Sequence, residues 1–167
     1  MVLILHNEVM VRGELKDQDW MNIKTLSPEY LGQWVRLRQQ LWPEQNAEQH
    51  LNEGLDILAS AQHISYVLLN DQQYAIAFAD AAIRHDYVNG CQTSPVVFIE
   101  GIYVEPQWRL KKCAKKLIRA IEQWGKNNGC SEIASDAELD NTSSHKMHQK
   151  LGFKITEKVV FFQKNIE

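Results

Sequence analysis

The chain has 167 residues, 44% of them hydrophobic, which is enough to bury one core of domain size. Its 18 Lys and Arg against 21 Asp and Glu give a net charge of -3, which argues against nucleic acid as the main partner and mildly favours a cationic one. No run approaches the roughly 20 apolar residues of a membrane helix, and Cys91, Cys113 and Cys130 lack metal-ligand spacing, so a soluble cytoplasmic protein with reduced thiols, no membrane association and no metal is expected.

Met1-Val-Leu-Ile-Leu5 is too short for a signal-peptide core and has no basic residues before it. Residues 1–20 are expected to be an extension outside the fold, and residues 21–167 the single domain. Residues 22–26 read as a strand. Ser27-Pro28-Glu29 offers an N-cap followed by proline at the first helical position, which predicts a helix to about residue 41, and a second helix is expected over residues 44–59. Residues 64–69 and 74–83 are strand-like, with a hairpin turn at residues 70–73.

After the polar loop of residues 86–95 comes an apolar strand over residues 96–104, broken by Pro106, and then a helix to about residue 128 with Asn128-Gly129 as its stop signal. A short strand over residues 131–135, a helix over 141–151 ended by Gly152, and a final strand over 153–163, rich in β-branched and aromatic residues, complete the order β-α-α-β-β-β-α-β-α-β. Antiparallel pairing early and a parallel crossover later give a mixed α/β (α+β) sheet with flanking helices.

The helix after Pro106 carries the clearest chemical signal. Leu110, Cys113, Ala114, Leu117, Ile118, Ile121 and Trp124 form an apolar stripe, while Arg109, Lys111, Lys112, Lys115, Lys116 and Arg119 fill the opposite face. A helix N-terminus already carries about half a positive charge, so cations gathered there point to an anion held at that end. A solvated basic face fits the same pattern.

The segment Arg109-Leu-Lys-Lys-Cys-Ala114 resembles the phosphate loop Q/R-x-x-G-x-G/A of the GNAT superfamily of acyl-CoA N-acyltransferases, with Lys112 where that family usually has glycine. Met147-His-Gln-Lys-Leu-Gly-Phe153 resembles its closing segment, with His148 at a position commonly held by tyrosine. Six further segments are similar to the aminoglycoside 6'-N-acetyltransferases of that superfamily. They are Leu37 to Trp42, Arg84 to Gly90, Glu100 to Val104, Ala134 to Asn141, Ser144 to His148 and Thr156 to Val160, so the resemblance runs from Met21 to the C-terminus.

The resemblance implies a GNAT fold whose mostly antiparallel sheet splays at its centre, between the strands around Glu100 and Ile133. It implies acetyl-CoA as co-substrate, with the pantetheine arm on Ile102, Tyr103 and Val104, the pyrophosphate on Arg109, Leu110, Lys111, Lys112, Cys113, Ala114 and Lys115, and a further contact from Asn141. It implies an aminoglycoside held by Trp42, Tyr87, Glu100, Asp136 and Glu157, acetylated at its 6'-amino group by direct attack in a ternary complex, and a homodimer.

The residues themselves support several of these roles while leaving alternatives open. Glu100 is a carboxylate in an apolar strand, suited to act as general base for an amine that arrives as an ammonium, or else a solvent-facing edge residue. Gly101 beside it suits a bulge that turns an N–H toward the thioester carbonyl. Asp136 and Asn141 also fit turn and N-cap positions, and Trp42 extends an apolar stripe with Trp34, Leu37 and Leu41 that favours core packing. His148 is a candidate general acid for the departing thiolate, and His145 with His148 lacks a third ligand for a metal. A GNAT enzyme for another cationic amine, such as a polyamine or a protein N-terminus, and a non-catalytic acyl-CoA-binding module are the other readings.

Overall fold

This computed structural model describes residues 22–166; the expected N-terminal extension lies outside them. The order is β1 (Asn22–Thr25), α1 (Leu31–Leu41), α2 (Ala47–Ala59), β2 (His63–Leu69), β3 (Ala75–Arg84), β4 (Val96–Val104), α3 (Cys113–Asn127), β5 (Ile133–Ser135) and α4 (Thr142–Lys150), with a 3₁₀ turn at Pro106–Trp108. The sheet runs β1-β2-β3-β4-β5. Its first four strands pair antiparallel, and β5 joins β4 in parallel after the crossover through α3.

Local chemistry accounts for most of the boundaries. Between β2 and β3 the Asn70 side-chain oxygen accepts from the backbone N–H of Gln72 and of Tyr74, which closes the hairpin turn. Helix α2 starts later than expected because Asn46 and Gln49 form a reciprocal capping box, a signature present in the sequence. Helix α1 also starts later: Ser27 accepts only a turn bond at its carbonyl from Tyr30 N–H, and no side chain caps the helix. Gly129, at φ +78, ends α3 in the left-handed conformation that glycine adopts at little cost.

Strand β3 lies at the centre, with Ala77, Ala79 and Ala81 fully or nearly fully buried among the small side chains that let a helix approach each face of the sheet. On one face, Leu117, Ile118 and Ile121 of α3 pack on Leu68, Ala77, Ala79, Val97 and Ile99. On the other, Trp34 and Leu37 of α1 pack on Val67, Leu69 and Phe78. The result is a layered helix–sheet–helix arrangement, with β4 and β5 at its open side.

The strand expected over residues 153–163 is absent, and these residues follow α4 without regular structure. A strand requires a neighbour for its backbone N–H and C=O groups and a surface for its apolar face. Among the described residues this segment has neither, leaving Phe161 89% and Phe162 93% exposed. Among the described residues the sheet splays between β4 and β5, which pair only over Val97 to Ile99.

Candidate functional site

The site grows out of an irregularity in β4. Ile99 pairs with Ala81 and Gly101 with Asp80, so Glu100 is an extra residue with no opposite number on β3. The parity of the strand changes there: Val97 and Ile99 face the α3 core before the bulge, and Ile102 and Val104 face it afterwards. Pairing with β5 covers only Val97 to Ile99, so both ladders lapse at Glu100. Beyond that point Ile102, Tyr103 and Val104 pair with β3 on one side and, among the described residues, have no strand on the other. This is the fork in which the family resemblance implies a pantetheine arm.

Following β4, the chain turns through Pro106–Trp108 and enters α3 at Cys113 rather than at Arg109. Leu110 and Lys112 have φ of +63 and +62, so Arg109, Leu110, Lys111 and Lys112 form a loop before the helix instead of its first turn. Lys112 keeps the left-handed conformation that glycine adopts freely, at a cost of about 1 to 2 kcal/mol for a residue with a Cβ. No side chain caps the helix start, and the cations Lys111, Lys112, Lys115 and Lys116 surround it. Arg109 donates from Nε to the Val104 carbonyl at 3.1 Å, tying this loop to the end of β4. The donor set suits a pyrophosphate: helical N–H groups, a left-handed residue and flanking positive charge.

Cys113 lies beneath the loop, buried, with its thiol against the Trp108 carbonyl at 3.3 Å. Burial pushes that thiol up, outweighing the pull of Lys116 and Lys111, which makes it a poor nucleophile at neutral pH.

Two clefts meet at the bulge. The first, about 570 Å³, is lined by Trp42, Glu44, Glu53, Asp56, Asp80 and Glu100 among others. Its wall is rigid. The Arg38 guanidinium lies between the rings of Trp34 and Trp42, 4.6 and 4.4 Å from their centres, and bonds to Asp80 at 2.6 Å and to Glu53. Asp80 also accepts from Trp34 Nε1 at 2.9 Å. Burial pushes the Asp80 carboxyl up, while Arg38, Ser65 and Trp34 pull it back toward the ionised form. Arg38 Nε–H donates to His50 Nδ1, so the proton of this neutral imidazole sits on Nε2, 3.3 Å from the Trp42 carbonyl. Trp42 then packs its indole edge against Gly101, where a Cβ would fall 2.2 Å from it. Only glycine fits.

The second cleft, about 550 Å³, is lined by Tyr87, Asp136, His148 and Glu157, together with Arg84 and Phe98. Gly90 packs on Thr156, which brings the loop of residues 86–95 against the C-terminal segment and sets Tyr87 near Glu157. Tyr87, Asp136 and Glu157 are exposed. On α4, Asn141 caps the helix by accepting from Ser144 N–H at 3.0 Å. His148 Nδ1 lies 2.9 Å from the Ser144 carbonyl, which can only accept, so Nδ1 carries a proton. Its Nε2 is buried without a partner among the described residues.

The sequence-predicted substrate residues thus divide between the clefts, Trp42 and Glu100 in the first and Tyr87, Asp136 and Glu157 in the second. Among the described residues no group of three or more His, Cys, Asp or Glu could hold a metal ion, and no helix is long and apolar enough to cross a membrane.

The model of the GNAT acetyltransferase family matches residues 26–153. The chain belongs to that family. Within it, the chain is 49% identical over 144 residues to an aminoglycoside N(6')-acetyltransferase type 1 of Salmonella typhimurium, covering 86% of this chain and 99% of the relative. It is 47% identical over 146 residues to the enzyme of that name from Acinetobacter baumannii, covering 87% and 99%. Among solved structures, AAC(6')-Iy in complex with a CoA-S-monomethyl-acetylneamine bisubstrate analogue superposes on this acetyltransferase with a TM-score of 0.84 at 49% identity, over 87% of this chain and 99% of that one. AAC(6')-Ih from Acinetobacter baumannii gives 0.84 at 47%, over 88% and 99%.

Sequence reasoning missed Arg38, His50, Asp80 and Arg84. A signal existed for Asp80, a single carboxylate inside the otherwise apolar run of residues 75–83, since a lone acid there requires a buried partner. Arg84 and Arg38 had none, because their partners are 16 and 42 residues away.

Proposed function

We propose that this acetyltransferase moves the acetyl group of acetyl-CoA to the 6'-amino group of aminoglycoside antibiotics, by direct attack in a ternary complex, and so confers resistance. The observation that carries the reading is the placement of Glu100: the extra residue of the β4 bulge, at the mouth of the fork, lining an acid-rich cleft beside a second one that presents Asp136 and Glu157. The clefts suit a polyamine sugar better than a singly charged amine, because carboxylates arriving from separate elements can desolvate and orient several ammonium groups at once. The similarity to aminoglycoside N(6')-acetyltransferases at 47–49% identity supports the same substrate class.

In this mechanism the α3 N-terminus and its cations hold the pyrophosphate, β4 carries the pantetheine arm along Ile102, Tyr103 and Val104, and Asn141 adds a contact through its NH₂ group. Trp42, Tyr87, Asp136 and Glu157 hold the drug. Glu100 takes the proton of the 6'-ammonium, directly or through a water, and the free amine attacks the thioester carbonyl. The bulge N–H at Gly101 steadies the oxyanion. As the C–S bond breaks, His148, protonated on both nitrogens with Nδ1–H on the Ser144 carbonyl, gives its Nε2 proton to the CoA thiolate.

The working form is a homodimer acting in the cytoplasm. The exposed apolar residues Val160, Phe161 and Phe162 support a second copy covering the C-terminal segment, and Cys91, Cys113 and Cys130, which form no disulfide among the described residues, suit a reducing compartment. The catalytic domain begins at Met21. Light scattering tests the dimer, with a monomer at micromolar concentration as the contrary result. Acetyl-CoA-dependent thiol release tests the activity: kcat/KM for kanamycin should exceed those for spermidine and for peptide N-termini by at least about tenfold, and the reverse order would transfer the assignment to another cationic amine.

A further inference from the structure

Glu100 is not free to receive a substrate. Both of its carboxylate oxygens accept from a single nitrogen of Arg84, Nη2, at 2.8 and 3.0 Å. The guanidinium lies flat on the Phe98 ring with its carbon 3.5 Å from the ring centre. Glu100 lines the first cleft and Arg84 the second, so their ion pair stands on the boundary that a drug reaching both sets of carboxylates has to cross. This pair differs from its buried neighbour. Arg38 and Asp80 are 8% and 2% exposed in their side chains, whereas Arg84 and Glu100 are 35% and 39% exposed. One nitrogen shared by two oxygens also forgoes the parallel two-nitrogen geometry that makes an arginine–carboxylate pair strong. Its strength is that of a partly solvated ion pair, small enough for an incoming ammonium to replace.

We infer that Arg84 is an exchangeable counterion: it holds the Glu100 carboxylate in place in the free enzyme, and yields it to the substrate's ammonium on binding. The Phe98 ring gives the displaced guanidinium a place to rest, through a cation–π contact that does not depend on Glu100. Drug binding at this point is an exchange of one cation for another, so a part of the drug's attraction to Glu100 offsets the loss of Arg84. Arg84 acts through Glu100 and is a positioning residue. The inference rests on the proposal that Glu100 receives the reacting amine.

Steady-state kinetics on the full chain with kanamycin and acetyl-CoA test it, using Arg84→Met, Arg84→Lys, Glu100→Gln and the Arg84→Met/Glu100→Gln double variant. Arg84→Met should lower KM for kanamycin about twofold to fivefold, the factor that a partly exposed ion pair is worth, and leave KM for acetyl-CoA unchanged. Arg84→Lys should restore the KM for kanamycin. In the Glu100→Gln background, the Arg84→Met change should leave that KM unaltered, because the competition has been removed. An unchanged or raised KM for kanamycin in Arg84→Met would overturn the inference, as would a fall of the same size in the Glu100→Gln background, which would mark simple long-range repulsion of a polycation. If Glu100→Gln itself alters no kanamycin parameter, the role of Glu100 fails instead, and with it the premise.

Discussion

The two clefts are built from opposite materials. The first is walled by helices α1 and α2 and strands β3 and β4, with a buried guanidinium between two tryptophans, a carboxylate 2% exposed and a fully buried histidine. The second draws on Arg84, Phe98 and helix α4, but most of it is the loop of residues 86–95, the segment after β5 and a C-terminal segment without regular structure. Its acids, Asp136 and Glu157, are exposed and make no salt bridge among the described residues. The difference is one of task. In the proposed mechanism, chemistry at Glu100 needs a backbone and an indole held to a fraction of an ångström, which packed elements supply, whereas gripping a flexible polycation needs charge and reach, which loops supply.

The largest effect should follow from breaking the rigid side. Asp80→Ala leaves Arg38 buried without its main partner, which costs about 3 to 5 kcal/mol, or roughly 10 °C in melting temperature for a chain of this size. Asp136→Ala in the loose cleft should shift the melting temperature by less than about 2 °C. Equal losses would mean that the second cleft is as tightly held as the first.

Next in size is the reaction itself. Glu100→Gln should lower kcat for kanamycin by about 100-fold or more, general bases being worth roughly 10² to 10⁴. It should do so without lowering the melting temperature, since the bulge is set by the backbone register rather than by the side chain. Near-full kcat in that variant would hand deprotonation to solvent.

Lys112→Gly should raise stability by up to about 1 kcal/mol, because the left-handed strain it relieves is offset in part by the entropy glycine adds to the unfolded chain. Calorimetry of the variant and its affinity for CoA separate conformation from charge: unchanged affinity means that only the backbone at this position matters, and a large loss means that the lysine side chain touches phosphate.

The smallest effect concerns the far end of the second cleft, where Glu132 fastens the loop of residues 86–95. The Thr93 hydroxyl and the backbone N–H groups of Gln92 and Thr93 all donate to it, and they hold its carboxyl below the ordinary value. A depressed carboxylate stabilises the fold at pH above its unfolded value, about 4.3, and that contribution disappears as pH falls through the folded value. Glu132→Gln should therefore melt slightly lower than wild type at pH 7, and the two should converge near pH 3. Parallel curves down to that pH would show that the carboxylate does not anchor the loop.

Much of this architecture was legible in the sequence because its causes are local. The Asn70 turn, the stop at Asn128-Gly129 and the apolar stripe of α3 all announce themselves within a few residues. What stayed hidden is what depends on distance. Trp42 reads as core from its spacing, and it is packed, but it is packed on Gly101 and on Arg38 where it also lines a cleft. The Arg84–Glu100 and Arg38–Asp80 pairs join residues that no periodicity links. The expected strand over residues 153–163 was misjudged for a related reason: β propensity describes how a segment fits a sheet, and says nothing about whether the same chain offers one.

The decisive measurement is the position of the acetyl group on the product. Kanamycin incubated with the enzyme and acetyl-CoA, then resolved by two-dimensional NMR, should carry a single acetyl on the 6'-nitrogen, with one CoA thiol released per acetyl transferred. Acetylation at another amine, at several amines without preference, or thiol release without an acetylated drug would contradict a site in which Glu100 selects and deprotonates one ammonium group at the mouth of the fork.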